Sequence, residues 1–192
     1  MAGMTQFLDL GCGLLSADCV YVSLLRYRLA RSVHVDVGPF VAEYARRVIA
    51  GDGRAIAAVV AGDLRRPESV LAHPSATARL DLARPDAVVA VLAHLSAPDA
   101  VELLATVGNV AVAGTVLAIS PSTADRDARV TALEPAIGAA PRSRAGLTSL
   151  LVGWEPVRPG LSWAHHWWPE ANDPDGSPVL LAALAVRRGV HR

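Results

Sequence analysis

The stretch Phe7-Leu8-Asp9-Leu10-Gly11-Cys12-Gly13 decides the fold, because it is typical of a buried strand that runs directly into a glycine turn. Positions without side chains at such a turn let the backbone approach a ligand closely. In open α/β sheets, ligands bind at the carboxyl ends of the strands. The stretch therefore predicts a nucleotide-type site at the end of the first strand of a parallel sheet.

Short apolar runs alternate with longer amphipathic stretches along the rest of the chain, as in a parallel sheet covered by helices. The predicted strands are 5–10, 33–36, 55–61, 86–92, 110–119 and 179–187, and the predicted helices are 19–31, 39–51, 67–72, 98–107 and 143–152. Residues 121–141 predict a broken helix, and 154–168 predict an extended segment that closes the sheet as an antiparallel hairpin. We predict a single domain over 1–192, an α/β Rossmann-like three-layer sandwich with a mostly parallel sheet and an antiparallel last strand.

Composition narrows the class of protein. Eighteen basic and eighteen acidic side chains give a net charge of zero, which argues against nucleic acid as a partner. The longest apolar run, 179–186, is far shorter than the roughly 18 residues of a membrane span, and residues 1–6 do not resemble a secretion signal. Cys12 and Cys19 lack the spacing of a zinc site, so we expect reduced thiols and a cytoplasmic location.

Two cofactor classes use a glycine turn of this kind. Dinucleotide enzymes need G-x-G-x-x-G to place a helix start at the pyrophosphate, and Ser16 stands at the third glycine position. S-adenosylmethionine, which has no phosphate, needs a carboxylate at the first strand and another for the ribose after the second. Asp9 and Asp36 occupy those places, and Asp63 after the third strand is suited to an adenine amino group. Capping of the following helix is the alternative for Asp36 and for Asp63.

Other residues are weaker candidates for chemistry. His94, just beyond the fourth strand, is the best-placed general base, with a bond to a loop carbonyl as the alternative. A helix beginning after the glycine turn would lower the thiol pKa of Cys12, which we interpret as a packing residue. The aromatic cluster at 163–168 fits core packing, or else the wall of an apolar pocket or a subunit contact. Its adjacent histidines, His165 and His166, would point to opposite faces of a strand, so no metal site is predicted. The pair Arg65-Arg66 is expected to be solvated.

Several motifs, in order, resemble those of class I S-adenosylmethionine-dependent methyltransferases, and in particular those of the actinobacterial S-adenosyl methyltransferase family. They are Asp9-Leu10-Gly11-Cys12-Gly13, Val35-Asp36-Val37-Gly38-Pro39, Gly62-Asp63-Leu64-Arg65-Arg66-Pro67, Val91-Leu92-Ala93-His94, Arg142-Ser143-Arg144 and Trp154-Glu155-Pro156. The resemblance implies a seven-stranded sheet that binds S-adenosylmethionine. Asp9, Gly11 and Gly13 would line its methionine end. Asp36 would hold the ribose and Asp63 the adenine, with Val37 and Leu64 as further contacts.

The family also carries a long helical segment before the glycine turn, whereas six residues precede Phe7 here. We expect this difference to leave apolar surface around the site and therefore to favour a homo-oligomer. The resemblance implies methyl transfer to a small-molecule acceptor in specialised metabolism. Two alternatives remain open: an enzyme of this fold with a non-methylating step such as a cyclisation, and a non-catalytic binding or assembly protein.

Overall fold

The computed structural model describes residues 3–16, 19–25, 30–53, 56–121, 123, 138, 140–167 and 181–189. Its strands are β1 (Gln6–Leu10), β2 (Arg31–Asp36), β3 (Ala57–Ala61), β4 (Ala87–Val91), β5 (Val116–Ser120), β6 (Glu155–Pro156), β7 (Ser162–Trp163) and β8 (Leu181–Val186). Its helices are α1 (Val20–Leu24), α2 (Pro39–Asp52), α3 (Pro67–Leu71), α4 (Pro74–Thr77), α5 (Ala97–Val110) and α6 (Arg144–Ser149), and a 3₁₀ helix spans Ala164–Trp167.

The strands form one mixed sheet in the order β3-β2-β1-β4-β5-β8-β6, and β7 also pairs with β8. Strands β1 to β5 are parallel, and β8 is antiparallel to β5. The predicted α/β architecture with an antiparallel last strand is thereby confirmed. The chain moves outward from β1 to β3 and returns to β4 on the other side of β1, so the strand order reverses between β1 and β4. Open α/β sheets bind their ligands at such a reversal.

Strand residues alternate between two apolar clusters, as the period of two in a strand requires. The larger cluster includes Leu8 and Val88 from the sheet and packs them against Leu103 of α5 and Leu147 of α6. The smaller cluster joins α1 and α2 to β3 through residues such as Tyr21, Ala42, Ala45 and Val59. Each fully buried leucine contributes about 1.5–3 kcal/mol relative to an exposed one. Helices therefore cover both faces of the sheet and hold its carboxyl ends in place.

The structure corrects several predicted boundaries. Strand β5 begins at Val116 rather than at 110, because α5 continues to Val110 and a turn at Gly114, with φ of +89°, separates the two elements. The described part of the first helix ends at Leu24, and residue 31 lies in β2. In place of the extended segment predicted at 154–168, residues 155–167 contain the two short strands β6 and β7 and then a 3₁₀ helix, and residue 168 lies outside the described residues. Most of the predicted broken helix, 121–141, lies outside the described residues. No described helix has the length and hydropathy needed to cross a bilayer.

Candidate functional site

The carboxyl ends of β1 to β4 open into a cavity of about 650 Å³, a volume within the range of small-molecule sites. Its lining combines backbone at glycines, apolar side chains and three carboxylates facing a single guanidinium, a balance that favours a ligand with positive charge. The lining residues are Gly11, Gly13, Asp36, Val37, Asp63, Leu64, Arg65, Val91, His94, Leu95, Ser96 and Asp99. All the cofactor positions implied by the resemblance are among them except Asp9.

One side of the cavity, which we call the first wall, consists of Gly11, Gly13, Asp36 and Val37 from the loops after β1 and β2. Gly11 has φ of +80°, and a Cβ there would lie 3.1 Å from the carbonyl oxygen of Val91. Gly13 has φ of +59°, and a Cβ there would project into open space. Both backbone conformations disfavour side chains, so the turn keeps the space beside it free.

The amides of the glycine turn point to β2 rather than into the cavity. The N–H groups of Gly11 and Cys12 both donate to the carbonyl oxygen of Val35, at 2.9 and 3.0 Å. The next helix, α1, begins only at Val20 and is capped by Cys19. A pyrophosphate would need free amides and a helix start at this turn. The arrangement therefore disfavours the dinucleotide alternative and fits a cofactor without phosphate.

Asp36 joins the two loops of the first wall. Its Oδ2 accepts a hydrogen bond from the Gly13 amide at 3.0 Å, and its Oδ1 accepts one from the Gly38 amide at 2.8 Å. Gly38 is the N-cap of α2, so the capping interpretation also holds at this residue. Because a carboxylate has about four acceptor positions, two of them remain for a ligand.

Asp63 lies in the loop after β3, the strand next to β2, and is held by Arg65. The guanidinium donates from Nε at 2.9 Å and from Nη2 at 2.6 Å, and the Arg65 amide donates to Oδ1 at 2.9 Å. These hydrogen bonds lower the pKa of the Asp63 carboxyl below its usual value. Arg65 was expected to be only a solvated surface residue, but it also lines the cavity.

Asp9 lies behind the first wall. It is 3% exposed, and its carboxylate is 2.9 Å from Nδ1 of His34, which is fully buried. The Nε2 atom of His34 is 2.9 Å from the hydroxyl of Ser32, and the Tyr21 ring packs edge-on against the imidazole. Since β1 and β2 pair Asp9 with His34 in register, the carboxylate meets this neighbouring side chain and ties the two strands together.

Cys12 has a raised thiol pKa, the opposite of the effect expected from a helix start. Burial, and then the negative charges of Asp9 and Asp36, raise the pKa of Cys12 from 9.0 to about 12. The expectation was wrong because α1 begins well after the turn, and because carboxylates surround the thiol instead. Burial is the larger cause of the raised pKa, and the two carboxylates add a negative potential at the first wall.

The opposite side, which we call the second wall, is the turn between β4 and α5 formed by His94, Leu95 and Ser96. His94 is exposed, and its Nδ1 is 3.4 Å from the carbonyl oxygen of Gly138. This contact agrees with the alternative interpretation of His94, a hydrogen bond to a loop carbonyl. Arg142 donates to the carbonyl oxygens of Leu92 at 3.1 Å, of Leu95, and of Ser96 at 2.9 Å. Sequence reasoning did not assign this role to Arg142, because these partners lie 46 to 50 residues away and leave no local signal.

The described tryptophans of the aromatic cluster, Trp163 and Trp167, lie outside the cavity lining, and residue 168 lies outside the described residues. Trp163 packs against the large apolar cluster, and Nε1 of Trp167 donates to the carbonyl oxygen of Ala182 at 3.0 Å. The Arg144 guanidinium lies 5.9 Å from the centre of the Trp163 ring. Packing is the arrangement observed for both tryptophans. Over the described ranges, no group of three or more His, Cys, Asp or Glu side chains could hold a metal ion.

Comparisons with known proteins agree with one another and point to a methyltransferase family. The model of the family described as S-adenosyl methyltransferase matches residues 1–188. The fold is similar to that of a proposed methyltransferase of Thermobifida fusca YX, with 26% identity, a TM-score of 0.85, and coverage of 98% of this chain and 75% of that one. It is also similar to a DUF574 family protein of Streptomyces avermitilis MA-4680, with 26% identity, a TM-score of 0.82, and coverage of 97% and 76%. The dimethyltransferase RosA of Streptomyces davawensis shares the fold at 22% identity, with a TM-score of 0.61 and coverage of 96% and 50%. The comparison with curated proteins gave no match.

Proposed function

Because the chain belongs to the S-adenosyl methyltransferase family, we propose that it transfers the methyl group of S-adenosylmethionine to a small organic acceptor bound in the same cavity. The observation that carries this proposal is the convergence of Gly11, Gly13, Asp36 and Asp63 on one space at the reversal of the strand order. A cavity of about 650 Å³ fits a small molecule better than a polymer.

The residues present fit this cofactor. Asp36 keeps acceptor positions for the paired hydroxyls of a ribose, and Asp63 offers carboxylate oxygens to an adenine amino group. Val37 and Leu64 supply apolar surface for the flat base, and the open space at Gly13 leaves room for the methionine end. When bound, the sulfonium group supplies an electrophilic methyl and a good leaving group. The carboxylates of the lining complement its positive charge.

Calorimetric titration with S-adenosylmethionine tests the proposal. We expect micromolar binding to the wild type, and about 100-fold weaker binding or none to Asp36→Ala, because that substitution removes the acceptor that joins both loops of the first wall. Asp81→Ala is the matched control. Asp81 also accepts the amide two residues on, from Ala83 at 3.1 Å, but it lies outside the cavity lining. Absence of binding to the wild type overturns the proposal.

We propose His94 as the general base for an acceptor that carries a proton at neutral pH. A proton on Nδ1, directed at the Gly138 carbonyl, leaves Nε2 as an acceptor. The apolar neighbours Val91 and Leu95 help to exclude water while the acceptor is oriented. A general base must reach the bound acceptor, and the His94 imidazole meets this requirement because it lines the cavity together with Leu95 and Ser96.

The role of His94 is tested by His94→Gln once an acceptor has been found by screening. General base catalysis contributes typically 10²- to 10⁴-fold, so we expect turnover to fall by about 100-fold while S-adenosylmethionine affinity changes by less than about threefold. His73→Gln is the control, because Nδ1 of His73 caps α4 away from the cavity lining. Unchanged turnover in His94→Gln removes the general-base assignment.

Self-association is a further proposal, supported by exposed apolar side chains on and beside the first wall. Val37 is 64% exposed, Phe40 74% and Tyr44 40%, and the last two follow one another at helical spacing on α2. Sedimentation equilibrium tests the proposal. We expect a dimer that Phe40→Ser weakens by about tenfold, and a monomer at all protein concentrations contradicts it.

A further inference from the structure

The second wall has no regular secondary structure of its own, yet it supplies His94, Leu95 and Ser96 to the cavity. Within it, the Leu95 amide donates to the carbonyl oxygen of Leu92 at 3.3 Å, which closes a short turn. The Ser96 carbonyl also accepts the Ala100 amide at 3.0 Å, so α5 begins directly from the turn. The position of the turn further depends on what else its carbonyl groups bind, because a buried carbonyl without a hydrogen-bond partner is destabilising.

Those carbonyl groups are bound from one side by a single short segment. The amide of Ala140 donates to the carbonyl oxygen of Ala93 at 2.7 Å. Arg142 donates from Nη1 to Leu92 and from Nη2 to both Leu95 and Ser96. Four of the five carbonyl groups between residues 92 and 96 are therefore bound by residues 140 and 142.

Arg142 is suited to this task by its burial and by its shape. It is 6% exposed, and burial lowers the pKa of its guanidinium, which still remains charged at neutral pH. The planar fork of an arginine donates in several fixed directions at once, which a lysine ammonium cannot reproduce. Its backbone is held as well, by a parallel bridge to Thr123 and by the start of α6 at Arg144.

We propose that Arg142 is a positioning residue that sets the second wall, and thereby the width of the cavity between the β4–α5 turn and the glycine turn. This inference rests on the proposed function, because the ligand that senses the width is S-adenosylmethionine with its acceptor. Arg142 itself is not part of the cavity lining and acts through the carbonyl groups of the turn.

The test compares Arg142→Met and Arg142→Lys with the matched control Arg144→Met. Arg144 stands two residues further on and also donates to a backbone carbonyl, that of Leu161 at 2.8 Å, but that bond does not involve the second wall. By titration at a temperature where every variant is folded, we expect S-adenosylmethionine to bind about tenfold or more weakly to Arg142→Met. We expect about threefold weaker binding to Arg142→Lys, and binding within twofold of wild type to Arg144→Met.

Hydrogen exchange on the protein without ligand supplies a second readout. We expect the amides of Leu92 and Leu95 to exchange at least about tenfold faster in Arg142→Met, while the amides of β1 and β2 keep their wild-type rates. Faster exchange throughout the sheet overturns the proposal, as does wild-type affinity in Arg142→Met or equal losses in Arg142→Met and Arg144→Met. If Arg142→Met does not fold, the ranking of Arg142→Lys against wild type and Arg144→Met decides the question.

The two hypotheses fail in different ways. A wild-type protein that does not bind S-adenosylmethionine overturns the proposed function, and the exchange rates at Leu92 and Leu95 then decide alone whether Arg142 holds the turn. Wild-type binding with no change in the Arg142 variants leaves the proposed function intact and overturns the positioning role.

Discussion

The two walls of the cavity are built in different ways. The first wall is formed by residues at the ends of two adjacent parallel strands. Gly11 and Gly13 follow β1, Asp36 ends β2, and the hydrogen bond between Gly13 and Asp36 joins the two strand ends. The second wall depends on Arg142, which reaches it from a segment 46 to 50 residues further along the chain. A short sequence motif is enough to specify a wall of the first kind, whereas a wall of the second kind forms only when distant parts of the chain have folded together. Four predictions test whether residues near the first wall set its properties locally, as this comparison requires, from the largest expected effect to the smallest.

The largest effect concerns the electrostatics of the first wall. Because burial and the charges of Asp9 and Asp36 raise the pKa of Cys12 from 9.0 to about 12, its thiolate fraction at pH 8 is about 1000-fold smaller than that of an ordinary cysteine. We expect Cys12 to be alkylated by iodoacetamide about 1000-fold more slowly in the folded protein than in urea. The Cys19→Ser variant leaves one thiol and retains an α1 cap.

Asp36→Asn in that single-thiol variant provides the control. Removal of one negative charge lowers the Cys12 pKa and should speed its alkylation, whereas Asp99→Asn, at the other end of the cavity, should not. Since the folded-state pKa exceeds the unfolded one, the stability contributed by this thiol declines as the pH rises from about 9 to about 12. Fast alkylation of the folded protein at pH 8 would contradict the raised pKa, and equal rates in the Asp36→Asn and Asp99→Asn variants would show that the charge of Asp36 does not contribute to it.

The second prediction tests whether the glycine turn must approach β4. In Gly11→Val, a branched side chain has to adopt φ near +80° with its Cβ 3.1 Å from the Val91 carbonyl oxygen. We expect the free energy of unfolding, measured in urea, to fall by about 2–4 kcal/mol, together with loss of S-adenosylmethionine binding. Gly13→Ala meets open space at φ of +59° and should cost only about 1 kcal/mol. Equal costs for both would mean that close approach does not constrain the turn.

The third prediction distinguishes Asp9, which lies behind the first wall and supports it, from Asp36, which lines the cavity. Asp9→Ala leaves the buried Nδ1 of His34 without its carboxylate, which should lower the free energy of unfolding by about 1–3 kcal/mol. Because Asp9 is not part of the lining, we expect S-adenosylmethionine affinity in the folded fraction to fall much less than in Asp36→Ala. Urea unfolding and calorimetry measure the two effects. An affinity loss as large as that of Asp36→Ala would show that Asp9 contributes directly to binding S-adenosylmethionine.

The sequence predicts the molecule well wherever the signal is local. The order of strands and helices follows from apolar periodicity, and the two glycines and Asp36 of the first wall follow from spacing after a strand. The strand predicted at 110–119 begins too early, because residues 110–113, which end α5 and lead into the turn at Gly114, are as apolar as the strand itself. Arg142 is part of a motif that resembles the family, but its role has no local signal, since it depends on contacts with Leu92, Leu95 and Ser96 that exist only after folding.

The smallest effect concerns Arg65, which bridges the surface and the cavity. Its side chain is 63% exposed and binds the Asp63 carboxylate that we assign to the adenine. Exposed ion pairs contribute little to stability because solvent screens them, so breaking this one costs little. Arg65→Ala frees carboxylate oxygens and removes the guanidinium that opposes a cationic ligand. We therefore expect S-adenosylmethionine to bind about two- to threefold more tightly, as measured by titration at low salt, with Arg47→Ala as the control, because Arg47 pairs with Glu43 and lies outside the cavity lining. Weaker binding would instead show that Arg65 contacts the ligand. The loop after β3 would then form a third wall of the cavity, in which the Arg65 guanidinium both covers the adenine and neutralises the Asp63 carboxylate.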